Sequence, residues 1–283
     1  MKRTALVGGK GFVGQALFNQ QSLRGHDYLL FDTRKPRKDV PSFLRETQAI
    51  IWCASRTNPL LASSDSALVQ LEFSEWETFV NQLQVNEYEG KVVFLSSGGC
   101  VYSHGTLPFR EIDEACGINE YGRLKLRMEA HLRASRLDYR ILRISNLYGP
   151  GQQAGKGQGV IAEWINQIAK DNAIKVIGSK QNERDFLHIA DLVTAIERVI
   201  TSLSPQGIYN VGSGRKTSLD SIIRLLQTYS KTKFEIFESP ARSFDRSGYS
   251  LDIEKFTSIF SWSPEIDIKN GLRQMISPGK SSA

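Results

Sequence analysis

Tyr121 and Lys125 stand four residues apart, and together they could move a proton. On a helix that spacing puts both side chains on one face. A free phenol titrates at about pH 10. An ammonium beside it stabilises the phenolate and lowers that pKa, so the phenol can act as a general base near neutral pH. The lysine can also donate to a ribose hydroxyl. The pair opens an expected helix that runs to Leu132. A Tyr-x-x-x-Lys pair arises often by chance, so its meaning depends on what the rest of the chain sets beside it.

A glycine turn comes first in the chain. Thr4 to Val7 is a short apolar run that reads as a buried strand, glycines follow at 8, 11 and 14, and Phe12 to Leu23 is amphipathic. Strand, glycine turn and helix make a phosphate-binding device. Gly8 lets the chain turn tightly, Gly11 clears space for a pyrophosphate, and Gly14 lets helix and strand pack closely. Phe12 and Val13, inside the turn, are counted with the glycines as cofactor-binding positions. The free N–H groups and positive dipole end of the helix then face the phosphates. His26 to Asp32 reads as a second strand that ends in an acid, 18 residues beyond Gly14. A carboxylate there can accept hydrogen bonds from both hydroxyls of an adenosine ribose. Asp32 therefore favours NAD, while Arg34 could accommodate a 2′-phosphate and leaves NADP open.

The elements that follow fit one sheet. Ala49 to Ala54 is a buried strand, and Ala54 closes it on the cofactor side. Ser55 to Ser66 reads as a polar loop at that strand's C-terminal end, where ligands bind in open α/β sheets, and this places Arg56 and Asn58 near a cofactor. Leu68, Leu71, Trp76, Phe79, Val80 and Leu83 form a helical face expected in the core. Lys91 to Ser97 and Arg140 to Leu147 are further strands. Alternating strands and helices predict an α/β fold, a Rossmann-type doubly wound parallel sheet joined to a smaller mixed α/β substrate-binding domain. Residues 1–148 form the expected dinucleotide-binding domain and 149–283 mainly the substrate domain, with part of 184–212 packing back onto the sheet. The polar tail, Pro278 to Ala283, is expected to be disordered.

Composition narrows the setting. The formal charge is +6, but Lys and Arg are interspersed with acids and form no basic stripe with aromatics, which argues against nucleic acid. A modest positive excess also suits a pocket for two diphosphate-bearing molecules. No apolar run approaches the length of a membrane span. Cys53, Cys100 and Cys116 are an odd number without C-x-x-C spacing, so neither a disulfide scaffold nor a zinc site is expected, and a reducing cytoplasm fits.

With these motifs together the chain resembles the extended short-chain dehydrogenase/reductase superfamily, in particular its NAD-dependent sugar-nucleotide epimerase/dehydratase family. The resemblance rests on Gly8-x-x-Gly11-Phe12-Val13-Gly14, Ser96-Ser97-Gly98-Gly99-Cys100-Val101-Tyr102 and Tyr121-x-x-x-Lys125. It continues through Asn146-x-Tyr148-Gly149-Pro150-Gly151, Arg184-Asp185-Phe186-x-His188-x-x-Asp191 and Tyr209-Asn210-Val211-Gly212. It implies that Tyr121 is the catalytic acid/base and Lys125 its electrostatic and ribose-binding partner. It implies that Asn146, Arg184 and Arg242 contact the diphosphate of a nucleotide-sugar substrate. His188 and Asp191 read as helix-start and packing residues.

One departure matters. The family's catalytic Ser or Thr falls here on Gly98, and a threonine that some relatives carry before the Val-Tyr pair falls on Cys100, a poor donor. Ser97 is the preferred third catalytic residue. The acids used by dehydratases and decarboxylating relatives are absent. The resemblance therefore points to an NAD-dependent 4-epimerase of a nucleotide sugar, UDP-linked, in cell-surface polysaccharide synthesis. A keto-sugar reductase or dehydrogenase of the same fold and a non-catalytic dinucleotide sensor remain as alternatives. A homodimer is implied, with Leu124, Leu126 and Met128 offering apolar surface that a helix facing its own sheet would also need.

Overall fold

The computed structural model describes residues 3–24, 27–31, 44, 46–103, 105–230, 232–241 and 246–276. The first half runs β1 (Arg3–Val7), α1 (Phe12–Arg24), β2 (Tyr28–Phe31), β3 (Thr47–Trp52), α2 (Pro59–Ser64), α3 (Ser66–Val85) and β4 (Lys91–Ser97). A single turn, α4 (Gly98–Val101), and α5 (Glu120–Ala134) lead to β5 (Asp138–Ile144), β6 (Asn146–Tyr148) and α6 (Val160–Ala169). The rest runs β7 (Ile174–Ile177), β8 (Glu183–Arg184), β9 (Phe186–His188), α7 (Ile189–Thr201), β10 (Gly207–Val211) and β11 (Thr217–Ser218). It closes with α8 (Leu219–Tyr229), β12 (Ile236–Ser239), α9 (Glu254–Phe260) and α10 (Ile268–Ile276).

Six of these strands form one parallel sheet in the order β10-β5-β4-β3-β1-β2. The chain steps outward from β1 to β2, then returns to the other side of β1 with β3. Strand order reverses there, and the crevice outside the C-terminal ends of β1 and β3 is where open α/β sheets bind ligands. The fold is the doubly wound α/β arrangement expected, because both sheet faces are apolar and both need a cover. On one face Ile50, Trp52, Val92, Phe94 and Ile141 pack against α3 and α5 through Trp76, Leu124 and Met128. Trp76 fills this interface: its ring lies 4.9 Å from Trp52 and 4.7 Å from Phe94, and its Nε1 donates to the Met128 carbonyl at 3.1 Å. On the other face Leu6, Ile51, Val93 and Leu142 meet Leu17 of α1, Leu192 and Ile196 of α7, and Phe256 of α9. A separate core around Trp164, Ile174, Ile222 and Leu272 holds α6, α8 and α10 together. Leu124 and Met128 are fully used inside the protomer, and Leu126 is packed against a small cluster around Tyr102 and Leu251.

Two expectations change. Ser55 to Ser66 is not all loop, because Pro59–Ser64 is helical. The signal was Asn58-Pro59: Asn58 Oδ1 accepts from the Leu60 and Leu61 amides at 2.9 Å, and proline sits where its missing N–H costs nothing. Arg140 to Leu147 is not one strand, because the chain leaves the sheet at Ser145. Asn146 N–H donates to the Asp185 carbonyl at 3.0 Å, and β6 pairs with β9 instead. The second strand is described only over Tyr28–Phe31, so Asp32 and Arg34 lie outside the described residues, as does the tail from Pro278.

Asn58 also donates to the Lys156 carbonyl at 2.9 Å, tying α2 to the loop before α6. Replacing Asn58 with Ala should cost about 0.5–2 kcal/mol in urea unfolding, the range for a lost N-cap. Wild-type stability in that variant would contradict the cap.

Candidate active site

The glycine turn closes on itself through two backbone bonds, Gly11 N–H to the Gly8 carbonyl at 2.9 Å and Gln15 N–H to the Gly11 carbonyl at 2.8 Å. The amides of Phe12, Val13 and Gly14 precede that first intrahelical bond and are left over as donors at the positive end of α1. Gly8 has φ 89°, and a Cβ there would stand 2.5 Å from the Ala54 amide nitrogen. The ends of β1 and β3 therefore touch with no room for a side chain. A Cβ on Gly14 would meet the Gly9 Cα at 2.5 Å. The side chains of Phe12 and Val13 turn away into the core shared with α7.

A cavity of about 520 Å³ opens over this turn. Gly8 to Gly11 line one wall, Trp52 to Arg56 another, and Leu30, Phe31, Glu72, Glu75 and Lys156 complete it. Arg56 is held by Glu75 through Nε at 2.7 Å and Nη2 at 2.5 Å. A glycine-rich turn, leftover helix donors and the cations Lys10, Arg56 and Lys156 fit the diphosphate of a dinucleotide.

The tyrosine and lysine of the pair share one face of α5 as expected. Asn119 caps this helix, accepting from the Gly122 amide at 2.8 Å. The Lys125 ammonium lies 5.2 Å from the centre of the Tyr121 ring and 5.6 Å from that of Phe94. It is buried, and it donates to Glu72 at 3.0 Å and to the Ser55 hydroxyl at 3.4 Å. Burial works against the Lys125 charge, but Glu72 and Tyr121 outweigh it and hold its pKa above the ordinary lysine value.

The electrostatic consequence for Tyr121 reverses the sequence expectation. Burial pushes the phenol's pKa up; Lys125 pulls it down, and Glu72 pushes it up again, so it stays above its ordinary value. That direction favours the protonated phenol. Sequence reasoning saw the ammonium but not the carboxylate that answers it. The signal was present: Glu72 is an acid at helical spacing within the apolar face Leu68, Trp76, Phe79 and Leu83.

The segment after β4 explains the missing hydroxyl. A Cβ on Gly98 would stand 2.6 Å from a Leu251 methyl, and one on Gly99 would stand 2.8 Å from the Tyr249 hydroxyl. Side chains from the 249–251 segment fill the space that a serine or threonine would need. Ser97 is half-buried and hydrogen-bonds the Cys100 thiol, which in turn faces Tyr121. Burial raises the Cys100 pKa, so its thiol is neutral. Ser96 is committed elsewhere, donating to Glu129 at 2.5 Å.

On the far side, Asn146 Oδ1 lies 3.6 Å from the Gly99 Cβ position. Arg184 donates to the Glu183 carbonyl at 2.8 Å, and its charge reaches Cys100 and Tyr249. Arg246 reaches the same two groups and donates to the Tyr102 carbonyl. Arg246 and Tyr249 were not foreseen; only the four-residue spacing from Arg242 hinted at the first. Arg242 itself lies outside the described residues. His188 Nδ1 accepts from the Ala190 amide at 3.3 Å and caps α7, and Asp191 accepts from the Glu265 and Ile266 amides at 3.1 and 3.0 Å. Both are structural. Among the described residues no group of three or more His, Cys, Asp and Glu could hold a metal ion, and no helix is long and apolar enough to cross a membrane.

Comparison with known proteins places this geometry. The NAD dependent epimerase/dehydratase family matches over residues 5–212, from the first strand to the end of the last sheet strand. The chain belongs to that family. It is 29% identical to the dTDP-4-dehydro-6-deoxyglucose reductase of Escherichia coli, over 96% of this chain and 95% of that protein. It is 28% identical to the UDP-glucuronate 4-epimerase of Thermodesulfobacterium geofontis, over 82% of this chain and 72% of that one. Among solved structures, the UDP-glucose 4-epimerase of Thermus thermophilus in complex with NAD superposes with a TM-score of 0.85 at 21% identity, covering 99% of this chain and 100% of that one. This last likeness is one of fold.

Gly98→Ser would restore the family's hydroxyl at a position with no space for it. The variant should lose about 1–3 kcal/mol in thermal or urea unfolding, the usual cost of overpacking, without a gain in activity. A stable, faster variant would show that Leu251 yields easily.

Proposed function

We propose that the chain carries out hydride chemistry at C4 of a nucleotide-linked hexose, and that its net reaction is reduction of a 4-keto sugar nucleotide. The observation that carries the reading is the Tyr121–Lys125 pair: a half-buried phenol whose ring centre lies 5.2 Å from a buried ammonium, with burial favouring its protonated form. A bound nicotinamide dinucleotide would supply the hydride. Tyr121 gives its proton to the carbonyl oxygen as that oxygen takes up negative charge, and the Lys125 ammonium eases the phenolate left behind. The Ser97 hydroxyl is the candidate for a second hydrogen bond to the same oxygen. Asn146, Arg184 and Arg242 hold the diphosphate, for which guanidinium forks are well matched. Gly8, Gly11, Phe12, Val13, Gly14, Asp32 and Ala54 form the cofactor side. Full-length likeness to a reductase supports this reading.

The second reading is a 4-epimerase, UDP-linked and serving polysaccharide synthesis, in which reduction of the keto-sugar is the second half of the cycle. Asp32 favours it, since a retained NAD suits a reaction with no net cofactor use. We take the active unit to be a homodimer. Leu124 and Met128 are buried within the protomer, so pairing through α3 and α5 would fall to exposed side chains such as Leu71.

Two experiments test these statements. Purified protein is given UDP-, dTDP- and GDP-linked 4-keto sugars with NADH or NADPH. Steady consumption of reduced cofactor is expected, reduced at least about 100-fold by Tyr121→Phe, as for a lost general acid. Interconversion of 4-hydroxy sugars without added cofactor would favour the epimerase, and no turnover at all would favour a sensor. The pH profile gives the second check. The protonated phenol is the active form, so kcat/KM for reduction should stay level through neutral pH and fall only as pH rises through the raised Tyr121 pKa. A rate that climbs with pH across the neutral range would identify a base instead.

A further inference from the structure

Glu72 is 2% exposed, stands in the second turn of α3 and lines the cofactor cavity. One of its oxygens accepts from Lys125 Nζ at 3.0 Å and from the Ser55 hydroxyl at 2.9 Å. The other accepts from the Arg56 and Thr57 amides at 2.9 and 2.8 Å and from the Thr57 hydroxyl at 2.7 Å. A carboxylate offers about four lone-pair sites, so this one is saturated by the protein and has none left for a ligand. Whatever Glu72 does, it does through the groups it holds. We propose that Glu72 is a positioning residue of this site: it clamps Lys125 and the Ser55–Thr57 loop to α3, and its negative charge opposes that of the lysine at Tyr121.

The charged and titratable groups that face the phenol come from three helices: Lys125 on α5, Glu72 on α3 and Cys100 on α4. Ser55, just beyond β3, hydrogen-bonds it from the fourth side. Lys125 is the one group of these whose charge favours phenolate. With Glu72 3.0 Å from its ammonium, the carboxylate offsets part of the lysine's pull on the phenol. A glutamine at 72 could still accept from the lysine through its amide oxygen, but it would leave the positive charge unopposed. Position and charge are therefore separable by substitution. The proposal deepens the reading of Tyr121 as proton donor and rests on it, since a neutral phenol is what that role requires.

The test reads Tyr121 directly in the full chain, without substrate. Tyrosine labelled with carbon-13 at Cζ reports each phenol's titration by NMR, and loss of one signal in Tyr121→Phe identifies its resonance. The expected midpoint in the parent protein is above the ordinary phenol value of about 10. Glu72→Gln should lower it by about one pH unit or more, as removal of a nearby charge does, and Glu72→Asp, which keeps the charge, should stay near the parent. An unchanged midpoint in folded Glu72→Gln would overturn the proposal, and so would equal drops in both variants. A parent midpoint below about 10 would overturn it even if Glu72→Gln did not fold. The readout is independent of turnover. Inactivity toward every keto-sugar would remove the proposed reaction and leave this titration standing.

Discussion

The site depends on one buried ion pair, Lys125 with Glu72. It joins α5 to α3 beneath the cofactor cleft and, through Ser55 and Thr57, fixes the loop that leaves β3. A charge this deeply buried is tolerable only while its partner is present; removing one member of such a pair typically destabilises by about 3–5 kcal/mol. Saturation by further donors explains why both groups stay ionised despite their burial. Burial disfavours the Glu72 charge, but Lys125 and the Thr57 and Ser55 hydroxyls outweigh it and keep its pKa below the ordinary value. The same pair sets two opposed charges against Tyr121, where burial is the larger influence and favours the protonated phenol.

The sheet makes this arrangement possible. Reversal of strand order between β1 and β3 opens a crevice at their C-terminal ends, and the contact of Gly8 with Ala54 keeps its floor narrow. One wall is the glycine turn and the first amides of α1. The other is the β3 loop that Glu72 holds. Trp76, four residues beyond Glu72 on α3, anchors that helix between Trp52, Phe94 and α5, so the position of the acid follows from the packing of the core.

Much of this was legible in the chain. Periodic apolar runs marked the sheet strands and the helices that cover them, and glycine spacing marked the phosphate turn, because backbone geometry constrains which residues can stand there. The Tyr121–Lys125 pair was legible for the same reason, four residues being one helical turn. Long-range partners were not. Glu72 is 53 residues from Lys125, and its spacing on α3 did not show which cation it meets. Tyr249 and Leu251 likewise fill the space at Gly98 and Gly99 from the far end of the chain, so the missing hydroxyl looked like a gap in the catalytic set. The Asn58-Pro59 helix start was local and readable, yet the polar composition around it read as loop.

The central claim is net hydride delivery to a keto-sugar with Tyr121 as the proton donor. Its most direct measurement is transfer of deuterium from nicotinamide reduced with deuterium at the transferable position, read by NMR of the sugar product. The account predicts deuterium at C4 of a newly formed alcohol, one per cofactor oxidised. Substrate sugars that invert at C4 while the cofactor pool stays reduced and no deuterium is incorporated would contradict it.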